Sequence, residues 1–208
     1  MSLSSTPPTG PMAASVPHPD DAAWPGWIGG LAIAFGSLTI LGSCCGAMGV
    51  FVSPAMGGMA GMDFPPAPGI VVAWMSFDLL LGLALGGMLI LGGIGVLRRR
   101  VSGPRMLLRY AVARVALVLI LIPAAFMVMK PTAEWGADIG QAQLDWQAEQ
   151  GVAVTEADQK RVDDARDPGA LGVVQAVGAP IVGAAFAAVL LVFLRRPAVK
   201  AGWERWES

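Results

Sequence analysis

Asparagine is missing from the 208 residues, so the chain has no N-glycosylation acceptor. Histidine occurs once, at His18, between prolines in an N-terminal stretch of Ser, Pro and Ala, and a Ser/His/Asp set cannot be assembled around it. The two cysteines are adjacent, Cys44-Cys45, without the spacing of a Cys-x-x-Cys redox couple, and read as small apolar residues of a helix. No Gly-x-x-x-x-Gly-Lys string is present to cradle phosphate. Charge is also scarce, at 14% of residues against about 25% in soluble domains. These absences argue against an enzyme and give no reason to expect a cofactor. The balance of 14 cations against 15 anions offers no global attraction for nucleic acid.

What fills the space is apolar: 55% of the residues are hydrophobic and the mean hydropathy is +0.62. Four long apolar runs, at about 27–52, 69–97, 106–129 and 171–194, each reach the roughly 20 residues that a bilayer crossing needs. The expected fold is an all-α membrane protein, a four-transmembrane-helix bundle with a mostly helical outer segment between helices three and four. Residues 1–26 read as a disordered tail without the basic and apolar regions of a signal peptide. Residues 27–197 form the membrane domain, and 198–208 a polar tail. The excess of Arg over Lys, 11 to 3, reads as the bias of a GC-rich bacterial genome.

The composition changes after Lys130-Pro131, since residues 131–168 carry nine carboxylates and only three cations. Trp135, Ile139, Ala142 and Trp146 make one stripe of an amphipathic helix, with Gly151 as its stop. Thr155-Glu156-Ala157-Asp158 then reads as a capping box that opens a second short helix.

Orientation follows from the basic residues, because Lys and Arg near helix ends are retained in the cytoplasm. The turn 98–105 and the tail 195–208 hold eight of them, and the loop 53–68 holds none. Both termini are therefore expected in the cytoplasm of an inner, plasma, membrane. Trp24, Trp27, Trp203 and Trp206 would mark the inner interface, and Trp74 and Trp135 the outer one.

Small residues predict how the helices pack: Gly42-x-x-x-Gly46 in the first, Gly82-x-x-x-Gly86 with Gly93 in the second, and Gly172, Ala176, Ala184 and Ala188 in the fourth. The same Gly and Ala faces could join a protein partner or a second copy of the chain within the lipid bilayer. Asp78 and Arg114 are the intramembrane charges. Counted from a hairpin centre near residue 101 they differ in depth by roughly 15 Å, too far to pair, which leaves Arg109 and Arg114 to snorkel to the headgroups.

Met56, Met59 and Met62 lie three residues apart in a Gly-rich loop, and thioethers select soft Cu(I). That spacing is similar to the methionine motifs of copper-uptake proteins, over one loop of eight residues. The four-helix outline and the letters Cys44-Cys45-Gly46 resemble the tetraspanins. That family's signature belongs in the large outer loop, however, and here it lies within a helix, so no property is carried over. Two functions follow. One is a non-enzymatic scaffold or accessory subunit presenting the acidic outer segment to a partner; the other is a small transport or soft-metal protein using the methionine loop. The scaffold is favoured, because between Asp78 and the inner end of helix two only Gly, Ala, Leu, Ile, Val and Met88 occur, which makes a dry path for an ion. The topology predicts that a cysteine placed at position 145 is labelled by a membrane-impermeant thiol reagent on intact cells, whereas one at position 102 is not. The reverse pattern would overturn the orientation.

Overall fold

Within lipid, an apolar run can satisfy its backbone hydrogen bonds internally only as a helix. The computed structural model describes residues 23–52, 57–59 and 61–206, and among them all regular structure is helical, with no strand. Six helices are used below: α1 (Trp24–Phe51), α2 (Gly69–Leu97), α3 (Ser102–Glu149), α4 (Glu156–Ala165), α5 (Gly169–Arg195) and α6 (Pro197–Trp203). Three of them, α1, α2 and α3, are long and apolar enough to cross a membrane. A fourth crossing is added if Pro180–Arg195 and the bent continuation Pro197–Trp203 count as one span. The chain is thus a helical membrane protein.

The α1–α2 pair is built on backbone contact. A Cβ on Gly36 would lie 2.7 Å from the Gly86 carbonyl oxygen, and one on Gly86 would lie 2.8 Å from that of Gly36. Gly93 faces the Gly29 oxygen at 2.7 Å in the same sense, and a Cβ on Gly82 would run into Ser43. Lipid provides no hydrophobic drive for helices to associate, so contact at this range supplies dispersion that larger side chains would forfeit. The face of α1 that does this is Gly29, Ala32, Gly36, Ser43 and Ala47, spaced for one side of a helix. Gly42, expected on the packing face, lies well round the helix from Gly36 and meets nothing within 4 Å. Gly46 makes only an ordinary contact, 4.0 Å to the Met75 sulfur.

The turn from α2 to α3 is tighter still. The α2 C-terminus closes with Arg100 N donating to Gly95 O (2.9 Å) and Arg99 N to Val96 O (3.0 Å), with Arg99 in the left-handed region at φ 51°. A Cβ on Gly95 would lie 2.7 Å from Gly103 Cα, and one on Gly92 would lie 2.7 Å from Leu107 Cδ2.

α3 is the longest element, at 48 residues, and it passes through Pro123 and Pro131 without ending. The expected end near Met129, with a separate helix beyond, is therefore corrected. Each proline removes one donor, but the inward positions Leu121, Ala125, Val128 and Trp135 keep helical spacing across Pro131, so one buried side runs through it. Gly151, at φ 76°, closes the far end, where Val152 N donates to Gln147 O at 2.9 Å.

α5 returns along α3, and its buried stripe is Gly183, Ala187, Leu190 and Leu194. Of the expected small-residue line, Gly172 lies near that stripe, where a Cβ would stand 3.9 Å from the Met129 sulfur, Ala184 is half-buried at its edge and Ala188 is exposed; the Ala176 side chain lies outside the described residues. One core cluster draws buried residues from α1, α2, α3 and α5, with Ala32, Leu89, Leu107 and Leu190 at its centre. Phe35 and Phe186 stack across it at 4.3 Å between centroids.

The ends of the described chain are tied together. α1 begins at Trp24, inside the stretch expected as tail, with Pro25 in its first turn. Beyond α5 the chain bends by 77° at Arg196-Pro197 into α6, so the polar tail begins as a short helix. Trp203 is buried and its Nε1 donates to Leu194 O at 3.4 Å. Trp206 stacks on Trp24, centroids 5.3 Å apart and planes 13° from parallel.

Overpacking a filled contact typically costs about 1–3 kcal/mol. Gly86→Leu, with no room between Gly36 and Ile40, is expected to lower the detergent melting temperature by several degrees. Leu83→Ala on the exposed side of the same helix should change it little. Equal melting of Gly86→Leu and wild type would refute the contact.

Candidate functional site

The two ends of the molecule differ in charge. At one end lie Arg98, Arg99, Arg100, Arg105, Arg195, Arg196 and Lys200; from the other project the last 20 residues of α3 and all of α4. At about 1.5 Å per residue α3 is about 72 Å long, more than twice a hydrocarbon core of about 30 Å. Its acidic C-terminal part runs on beyond the apolar run as a stalk.

The stalk is rooted by Trp135. Its indole is 8% exposed, packs with Val50 and Val71, and donates through Nε1 to Pro65 O at 3.1 Å. The segment 61–68, which enters α2, is thereby held against α3. Ile139 and Met75 fill the edge of the same cluster, so the expected amphipathic stripe is seated at its Trp135–Ile139 end.

α4 folds back on the stalk. Val162 sits over Gly140, where a Cβ would meet it at 3.2 Å. Gln159 Nε2 donates to Gln141 Oε1 at 2.7 Å, Gln141 Nε2 donates to Asp145 Oδ1 at 2.9 Å, and Arg166 pairs with Asp138 at 3.2 Å. The N-terminus of α4 carries the capping box that its sequence predicts: Asp158 N donates to Thr155 Oγ1 (3.2 Å), and Thr155 N to Asp158 Oδ2 (3.2 Å). The Thr155 hydroxyl also donates to that carboxylate at 2.6 Å. Hydrogen bonds from the Thr155 side chain and then its backbone, with Arg161 adding attraction, hold the Asp158 carboxyl below the usual range.

Between the stalk and the 61–68 segment lies a surface cleft of about 400 Å³, lined by Asp63, Phe64, Pro65, Pro66, Asp138, Gln141, Ala142 and Asp145. Among the described residues no group of three or more His, Cys, Asp or Glu side chains is placed to hold a metal ion. Of the methionine triad, Met56 lies outside the described residues, Met59 is 83% exposed, and Met62 is half-buried with its backbone N bonded to Gly57 O at 2.8 Å. Met75 is spent in the Trp135 cluster. Cys44 is half-buried and Cys45 exposed, both as free thiols.

The intramembrane charges sit differently from the expectation. Arg114 does not run to the basic end. Its guanidinium lies on Gly183 of α5, where a Cβ would stand 2.6 Å from Nε and Nη2. Nε is buried without a hydrogen-bond partner, and Asp78 is half-buried with no ion pair among the described residues.

The cap has a defined pH dependence. A carboxyl with a lowered folded pKa contributes stability that is complete above its unfolded value, about 3.9, and is lost as the pH falls through the folded value. Cα secondary chemical shifts across 156–165 should therefore hold steady from neutral pH to about 4 and then move toward coil. Thr155→Ala should weaken them already at neutral pH and remove the acid step. Identical profiles for the two proteins would exclude the cap as the cause.

Compared with protein-family models, with curated proteins and with solved structures, the chain matches none.

Proposed function

We propose that the chain is a non-enzymatic scaffold or accessory subunit of a bacterial inner membrane, a four-helix bundle that holds an acidic helical stalk out to a partner protein. The observation that carries this reading is the continuity of α3. One unbroken helix of 48 residues joins the packed apolar core to a hairpin in water, so the hairpin is presented at a fixed height and angle. The sequence 131–168 has nine carboxylates against three cations, and the surface it offers suits a cationic partner.

The fourth crossing is assigned to α5. The Trp24–Trp206 stack, which brings the start of α1 and the end of α6 together, supports an even number of crossings. The basic end is assigned to the cytoplasm because Lys and Arg flanking short loops are retained there. Both chain ends then lie inside, and the stalk outside.

The reading is tested by affinity purification from gently solubilised membranes. Chains that co-purify with wild type should fall by about tenfold, or 1.4 kcal/mol, when Asp138, Asp145, Asp163 and Asp164 are all changed to Asn. Undiminished recovery would overturn the stalk as the docking element. Saturable copper uptake into proteoliposomes, lost when Met56, Met59 and Met62 become Ser, would replace the scaffold with a metal transporter.

A further inference from the structure

Arg105, Arg109, Val112, Ala116 and Leu119 follow one another along α3 in steps of four and three residues, and all five are exposed. That spacing keeps them on one side of the helix, so two guanidinium groups stand at the head of a column of apolar side chains. The other side of the same helix carries Leu107, Ala111 and Leu121 into the core. At about 1.5 Å per residue Arg109 lies about 6 Å deeper than Arg105, a distance its own length covers by snorkelling. Neither arginine has an ion pair among the described residues.

The surroundings add to that charge. α1 begins against the ends of both α2 and α5: a Cβ on Gly29 would stand 2.6 Å from Leu97 Cγ, and Trp24 meets Phe193 edge-on at 5.9 Å between centroids. Arg98 and Arg100 after α2, and Arg195 and Arg196 at the close of α5, are thereby gathered at the end where α3 starts. Glu204 is the one carboxylate at this end among the described residues, and it pairs with Lys200 at 3.6 Å. α6 is bent by 77° from α5, which runs along α3, so it lies across the end of the bundle. Val199, Trp203 and, just past the helix, Trp206 turn toward the core, while Lys200 is exposed. A short amphipathic segment in that attitude rests in the headgroup layer. Trp27, 73% exposed in the first turn of α1, stands where aromatic rings mark a membrane interface.

A soluble anion could use the arginines but has nothing to lay on the valine and leucine below them. A phospholipid has both parts, a phosphate and an apolar chain, joined in the order that the α3 column presents them. We propose that Arg105 and Arg109 bind the headgroup phosphate of an anionic phospholipid whose acyl chain lies along Val112, Ala116 and Leu119. A zwitterionic lipid also brings a phosphate, but its ammonium meets the surrounding arginines, so the surface selects a head of net negative charge. The site needs only that α3 crosses the bilayer, whatever partner the stalk meets.

The test places the full chain in phosphatidylcholine nanodiscs doped with spin-labelled phosphatidylglycerol or spin-labelled phosphatidylcholine, and reads the motionally restricted fraction of each label. Wild type should hold phosphatidylglycerol in preference, and changing both Arg105 and Arg109 to Gln should reduce that preference by about fivefold, the effect of one cation at a lipid surface. Lys at both positions should retain most of it, and Arg161→Gln on α4 should leave it unchanged. Equal association of the two lipids with wild type, or an undiminished preference in the double Gln variant, would overturn the site. Displacement of the label by millimolar glycerol phosphate would replace the lipid with a soluble anion. Should the double variant fail to fold, Arg105→Gln and Arg109→Gln singly should each cost about twofold, and no loss in either overturns the proposal. Salt at about 1 M, where screening reaches about 3 Å, should abolish the wild-type preference; its survival counts against the arginines.

Discussion

Everything in this structure hangs on how closely two backbones can approach in a solvent as apolar as themselves. Burial of apolar surface does not reward helix association in lipid, so α1 and α2 gain their stability from carbonyl oxygens seated against glycine Cα atoms at Gly29, Gly36, Gly86 and Gly93. With that distance set, the next helix has little choice. Gly95 and Gly103 carry the same close approach through the turn, and α3 starts already in contact with α2. α5 closes the arrangement on the other side of α3 with larger residues, Leu190, Leu194 and Phe186, where side-chain interdigitation replaces backbone contact.

α3 is the member shared by the two environments. In the apolar layer it packs between α2 and α5; beyond it, the same inward stripe continues into Trp135 and Ile139 and meets the entry to α2. The hydrogen bond from Trp135 to Pro65 O pins a proline-rich segment that has few donors of its own. Surface ion pairs such as Arg166–Asp138 contribute little by comparison, since both partners are about half exposed. What they set is the side of the stalk on which α4 lies.

Much of the fold was legible in residue order. Apolar run length marked the helices, the Thr155–Asp158 pair marked the start of α4, and Gly151 marked the end of α3. The misreadings share one cause, which is that a local pattern does not say where its neighbours are. Lys130-Pro131 looks like a break by local rules, but packing on both sides in one register carries the helix through. Gly42-x-x-x-Gly46 has the spacing of a contact motif, whereas the face in contact is the looser series Gly29, Ala32, Gly36 and Ser43, which a search for seven-residue recurrence would have found. Gly183 as a seat for Arg114 had no signal in the sequence beyond being one small residue among many.

The stack of Trp24 on Trp206 also orders events in time. Its two rings lie far apart in the chain, and at about 5–20 residues per second the second follows the first by on the order of ten to forty seconds. Throughout that interval the α1–α2 hairpin can already be assembled by its glycines, while the aromatic clasp over Phe193 and Leu194 is still open. The clasp can therefore close only after residue 206 has been made, on a bundle whose first two helices are already paired.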